Sequence, residues 1–249
     1  MARLDKYSSY PVWDSWTRWF HWVNAVTVIG LIIVGVILWN DDALGLSATG
    51  KIILKEIHAT LGYVMSLNLL WRFVWAFLGN RYARWKAFLP GGPGYWRALR
   101  GYAAAFLAGE PQQYAGHNPI ARIAITVMLL LLVIQAGTGL ILAGTDLFWP
   151  PFGSWFAGWV AATGVDPASV SPLAANTIDR AAYDSMRAFR RPLVMIHLYT
   201  FFVLSGVIVL HLAAVVVTEL REGGSITSAM FTGRKLLDRR PQDQLPPRS

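Results

Sequence analysis

Four stretches of the chain are apolar for long enough to cross a bilayer, and polar or glycine-rich segments separate them. A transmembrane helix needs about 20 mostly apolar residues. The first stretch runs from about Trp19 to Trp39 (WFHWVNAVTVIGLIIVGVILW) and the second from about Ile52 to Leu78. The third, from about Pro119 to Ala143, contains the run VMLLLLVI, and the fourth runs from about Pro192 to Thr218. The pattern predicts an all-α fold, an integral membrane four-helix bundle, with 1–249 as one domain and 219–249 as a polar tail. The first stretch is not expected to be a cleaved leader. Its apolar run is too long, and it ends in Trp39-Asn40-Asp41-Asp42 with no small-residue cleavage site after it. No internal repeat is visible.

Two features lie outside the spans. Trp13, Trp16, Trp19 and Trp22 recur every three residues, which predicts one stripe on a helix entering the first span, an anchor at the membrane interface. The connection from Thr145 to Arg191 is long for a bundle. Its apolar stretch WPPFGSWFAGWVAA is too short and too interrupted by Pro and Gly to span. It reads as a structure lying on the surface, or as a docking surface for a partner.

Composition sharpens this picture. Of 249 residues, 55% are hydrophobic and 14% charged, with mean hydropathy +0.41, far from the roughly 25% charged content of a soluble domain. The net charge of +8 records topology rather than nucleic-acid binding. With four spans, both termini and the loop between spans two and three share one side. That side carries 15 of the 22 basic residues: Arg3, Lys6, Arg18, Arg81, Arg84, Lys86, Arg97, Arg100, Arg122, Arg221, Arg234, Lys235, Arg239, Arg240 and Arg248. The other side carries 6, and Arg72 alone lies inside a span. The expectation is a bacterial inner-membrane protein with cytoplasmic termini and tail, and a periplasmic loop between helices 3 and 4. The absence of cysteine excludes disulfides, thiolate metal sites and iron–sulfur clusters of the usual type.

Ionisable groups inside a membrane are costly and mark function. Four of the five histidines, His21, His58, His197 and His211, fall in the spans. Following the chain direction, His58 and His197 share the outer depth, while His21 and His211 share the cytoplasmic one. His197 and His211 are 14 residues apart. On a helix that is about 40° in direction and about 21 Å in rise, so both face one side. The arrangement predicts two bis-histidine sites. Zinc would need a third or fourth ligand at each depth, and no Asp, Glu or Cys stands there to supply it. A porphyrin iron takes two axial ligands in an apolar setting. Two b-type haems therefore fit, with His21, His58, His197 and His211 as iron ligands. Gly30, Gly35, Gly62, Gly137, Gly139 and Gly206 would make room, although small residues also serve helix packing. Arg18, Arg72 and Arg191 are candidate propionate partners. Snorkelling to the nearby interface would explain Arg72 equally well.

The residues also resemble a known family, the b-type cytochrome subunits of membrane-bound nickel–iron hydrogenases. The resemblance rests on RWFHWVNAVTVIGLIIVG around His21, WAFLGNRYAR after span two, GHNPIA opening span three, and H-x13-H followed by ELREGGSITSAMFTGRK. The histidine spacing is shared with formate dehydrogenase and thiosulfate reductase cytochromes, and the loop motifs point more narrowly to hydrogenase. The resemblance implies an electron-transfer subunit of a hydrogen:quinone oxidoreductase complex. It implies that electrons pass from the iron–sulfur small subunit of a periplasmic hydrogenase to the His58/His197 haem, then to the His21/His211 haem and to a quinone. It places the quinone near the cytoplasmic haem, where His117 and Asn118 fall. Asn118 and Pro119 would equally serve to cap a helix, and His117, with an ordinary pKa near 6.5, would be a proton donor. The resemblance also allows a homodimer, which no residue requires. The segment 145–191 does not follow the family pattern. Three other readings are a stand-alone quinone-linked cytochrome b with a small diffusible redox partner, the cytochrome subunit of another periplasmic oxidoreductase such as formate dehydrogenase or thiosulfate reductase, and a transporter or structural anchor without haem.

Overall fold

The computed structural model describes residues 7–222 and 225–244. Arg3, Lys6 and Arg248, counted above in the charge bias, lie outside the described residues. A short strand β1 (Ser8–Pro11) leads into α1 (Ser15–Trp39), and α2 (Ala48–Leu78) follows. Two shorter helices, α3 (Trp85–Phe88) and α4 (Tyr95–Leu107), precede α5 (Pro119–Asp146). After α6 (Gly153–Val160) and two single 3₁₀ turns comes α7 (Arg180–Glu222), then α8 (Ile226–Thr232) and strand β2 (Arg234–Leu237). α1, α2, α5 and α7 are long and apolar enough to cross a membrane, as a four-helix membrane bundle requires.

Each of these four helices opens on a side-chain cap, which satisfies an amide that the helix cannot. Asp14 accepts from the Thr17 amide at 2.7 Å, and Ser47 accepts from Gly50 at 3.1 Å. Asn118 accepts from Ala121 at 2.8 Å, and Asp179 accepts from Ala182 at 2.8 Å. On α1, Val26, Ile29, Ile33 and Val36 form an exposed apolar stripe at helical spacing, the face suited to lipid.

Two expectations change here. The helix that carries the fourth span does not begin at Pro192: α7 has 43 residues and runs through that proline. At about 1.5 Å per residue it is about 64 Å long, roughly twice the hydrocarbon core. The connection after α5 shortens to 147–179, and α6 within it packs Phe156, Ala157 and Val160 against Met186 of α7 and Val170. The Trp stripe holds three members, not four. Trp16, Trp19 and Trp22 are exposed on α1, whereas Trp13 precedes the helix and is buried with Val12, Ala115 and Ala229.

The described chain divides into two compact units. The terminal unit takes in the described residues up to Trp22, Leu70–Leu130 and those from Gly206 onward; the loop unit takes in Val23–Leu69 and Leu131–Ser205. Within the terminal unit, β1 and β2 pair antiparallel from Ser8 opposite Leu237 to Pro11 opposite Arg234. This ribbon was not predicted, and it makes the segment after α7 part of a packed structure.

Candidate functional site: histidines of the two units

The loop unit holds His58 on α2 and His197 on α7. Their ring centroids are 6.3 Å apart, with the planes inclined by 71°. Two imidazoles on opposite faces of one metal ion, each about 2 Å from it, have centroids about 6 Å apart, whereas tetrahedral ligands come to about 5 Å. The centroid spacing is close to that of the opposed arrangement. No group of three or more His, Cys, Asp or Glu side chains capable of holding a metal ion occurs among the described residues. The donor set is therefore two imidazoles per site, which suits axial ligation of a porphyrin iron.

Backbone approaches both rings closely. A Cβ on Gly35 of α1 would sit 3.4 Å from His58 Cε1, and one on Gly139 of α5 would sit 3.4 Å from His197 Cε1. Gly30 instead faces Leu61, so not every glycine noted in the sequence serves the histidines. Thr138 Oγ1 lies 2.8 Å from His197 Nδ1. His58 Nδ1 is buried without a hydrogen-bond partner. At this end Asp146 pairs with Lys55 at 3.2 Å and with Arg190 at 2.5 Å. Arg191, the residue expected to face inward, is exposed, while Arg190 keeps a buried Nε without a partner. Arg190 is seven residues before His197 and lies within about 20° of its face, whereas Arg191 is about 120° away; the expected start of the span at Pro192 hid that phase.

The terminal unit holds His21 on α1 and His211 on α7, close enough for the charge of one to act on the other. His21 Nδ1 is buried without a partner. Arg72 does not snorkel. It is 6% exposed, its guanidinium lies 4.4 Å from the Phe88 ring centroid and 5.8 Å from that of Phe20, and its Nη1 is buried with no partner. Arg18 is partly committed elsewhere, donating to the Phe231 carbonyl and to Ser15 Oγ, although its Nε also lacks a partner. Buried donors without acceptors, in the same unit as His21 and His211, fit a cofactor that brings carboxylates.

His117 lies just ahead of α5, against Trp13 at 4.7 Å between ring centroids. Burial, with Lys235, Arg72, Arg122 and His211 nearby, pushes its imidazole down to about 3. It is thus neutral near pH 7, unlike the ordinary histidine on which the expected proton-donor role rested. Asn118 caps α5 and donates to Tyr102 Oη at 2.8 Å. Tyr102 in turn donates to Glu222 at 2.7 Å.

β2 and the segment after it clamp this loop. Asp243 accepts from the amides of Ala115 at 2.8 Å and Gly116 at 2.7 Å. Lys235 Nζ donates to the carbonyls of Tyr114 at 3.2 Å and Gly116 at 2.9 Å. Burial pushes Lys235 down to about 8, against the pull of Glu222 and Asp243. A cleft of about 410 Å³ opens beside the loop, lined in part by Tyr82, Tyr95, Tyr114, His117 and Arg122. Sequence reasoning missed Thr138, Arg190, Lys235 and Asp243. Polar residues inside apolar spans were a usable signal for Thr138, but nothing local marks the clamp.

Long apolar helices that carry a histidine pair at axial-ligand spacing define a membrane-bound b-type cytochrome. Residues 12–233 match the prokaryotic cytochrome b561 family, and the chain belongs to that family. It is a multi-pass membrane electron-transfer protein, and its membership implies haem b binding. Among curated relatives, it is 38% identical over 91 residues to the probable Ni/Fe-hydrogenase 1 B-type cytochrome subunit of Escherichia coli (strain K12), covering 34% of this chain and 38% of that one. It is 30% identical over 113 residues to a probable Ni/Fe-hydrogenase B-type cytochrome subunit of Azotobacter vinelandii (43% of this chain, 46% of that one). A like-named protein of Cupriavidus necator is 33% identical over 116 residues, with 43% and 46% covered. The matches thus span less than half the length of these relatives. No solved structure matches the chain.

Proposed function

We propose that this chain is the membrane subunit that links a periplasmic nickel–iron hydrogenase to the quinone pool, holding two haem b groups. His58 and His197 would hold one, and His21 and His211 the other. The observation that carries the reading is the pair of imidazoles whose centroids lie 6.3 Å apart, formed by residues from two different helices. Each haem, when bound, supplies a one-electron carrier. The protein's own residues orient the imidazoles, keep water out through the surrounding apolar helices, and offer Arg72, Arg18 and Arg190 to propionates. The names of the relatives support the hydrogenase partner, entered through its iron–sulfur small subunit. The absence of cysteine agrees, because this chain supplies no thiolate cluster ligands of its own.

The cleft beside His117 is the proposed quinone site. Its volume suits a quinone ring, His117 Nδ1 is buried without a partner, and Asn118 holds the loop at the start of α5. The basic bias puts both termini and this cleft on the cytoplasmic side of a bacterial inner membrane.

A reduced-minus-oxidised visible spectrum with haem quantitation tests the reading. Two b-haems per chain are expected, and none would overturn it. Removing His58 or His197 should abolish one haem, and removing His21 or His211 the other. If His21→Ala and His197→Ala each lost the same haem, the pairing would be wrong. Purification of the native complex tests the partner, and a partner without nickel and iron–sulfur clusters would remove the hydrogenase assignment while leaving the cytochrome.

A further inference from the structure

We propose that Thr138 is a positioning residue that fixes the tautomer and ring plane of His197 and so sets the haem at that site apart from the other. The proposal rests on the reading of His197 as an axial ligand. Thr138 lies on α5 between Gly137 and Gly139 and is 8% exposed. Its hydroxyl carries one hydrogen and two lone pairs. That hydrogen is directed to the Ile134 carbonyl at 2.7 Å, the usual back-bond of a helical threonine. Toward His197 Nδ1, at 2.8 Å, the oxygen is then left to accept. Nδ1 therefore carries the ring hydrogen and Nε2 presents its lone pair, the form a metal needs. The opposite orientation would put the hydrogen on Nε2 and block ligation. Gly139 supports the same geometry, since its backbone lies against His197 Cε1 where a Cβ would be 3.4 Å away.

A hydrogen bond accepted from the far nitrogen of a ligating histidine orients the ring and raises its basicity at the metal. A more basic ligand favours the oxidised, more positive iron and lowers the reduction potential. His58 Nδ1 and His21 Nδ1 are buried without such a partner. The Thr138 contact thus distinguishes His197 from its facing ligand and from His21 in the other unit.

Redox titration of the full-length protein with its haems tests this, using optical spectra to resolve two midpoint potentials. Thr138→Val keeps the shape and removes the hydroxyl, while Thr138→Ser keeps the hydroxyl. In the valine variant one midpoint should rise and the other stay fixed, and the serine variant should titrate like the parent. Loss of one haem in Thr138→Val with both kept in Thr138→Ser would also support the positioning role. Two retained haems with unchanged potentials in Thr138→Val would overturn it. So would serine and valine variants that behave alike. A parent protein without haem, or one that keeps both haems in His197→Ala, would instead defeat the ligand assignment itself.

Discussion

His117 offers a test whose size follows from its surroundings. In the folded protein its imidazole titrates at about 3, because burial and the neighbouring Lys235, Arg72, Arg122 and His211 disfavour its charge. In an unfolded chain it titrates near 6.5. Above pH 6.5 both states are neutral and the group contributes nothing to pH dependence. Between 6.5 and 3 the unfolded chain binds a proton that the folded one does not, so stability falls as pH falls. At pH 5 the gap from 6.5 is 1.5 pH units, or about 2 kcal/mol. That figure holds for any folded value well below 5. Carboxylates titrate in the same region, so the useful quantity is a difference between proteins. Denaturant unfolding in mild detergent, followed by tryptophan fluorescence, should show the parent losing about 2 kcal/mol more than His117→Gln between pH 7 and pH 5. Parallel losses in the two proteins would mean that the folded imidazole takes up its proton freely, and the buried, cation-flanked site would be refuted.

Three further outcomes are expected. Asp243→Ala removes two charge-assisted bonds to the Ala115 and Gly116 amides and should cost about 2–4 kcal/mol; hydrogen exchange at 114–117 should accelerate, and unchanged exchange would show that the clamp is not needed. Gly139→Val places methyl groups against His197, and haem quantitation should fall from two to one, while Gly101→Val on α4, with open space at its Cβ, keeps both. Asp179→Ala removes the cap of α7 and should cost about 1 kcal/mol without changing the visible spectrum.

What the sequence revealed were properties of one helix at a time. Apolar length gave the four spans, and the 14-residue spacing on α7 gave two histidines on one face. Chain direction then gave their depths. Features that need two elements together were hidden. β1 and β2 are four residues each and separated by more than 200 positions, so their pairing has no local signature. Thr138 meets His197 across two helices, and only the rotation of both decides the contact. Pro192 misled because proline commonly opens a helix, while α7 accepts the missing amide donor in its interior. Trp13 kept the three-residue rhythm of its neighbours but lies two residues ahead of α1, and there it packs on the His117 loop instead.

The balance of buried charge in the terminal unit extends the functional argument. Its acids are already engaged: Asp14 caps α1 and receives Trp75 Nε1 at 3.0 Å, Asp243 holds two amides, and Glu222 receives Tyr102. Its cations are not used up in the same way. Arg72 Nη1, Arg122 Nε and Arg18 Nε are buried without acceptors, and Arg72, Arg122 and Lys235 all act on His117. A buried guanidinium donor without an acceptor is costly unless an anion completes it. Haem propionates would complete it around Arg72, which joins the charge imbalance to the proposed haem at His21 and His211. The same logic fixes the sign of an experiment. Positive charge beside a haem favours its reduced form, so Arg72→Gln should lower one midpoint potential and Arg72→Lys should restore most of it. An upward shift, or none, would place the Arg72 guanidinium outside the field of that haem.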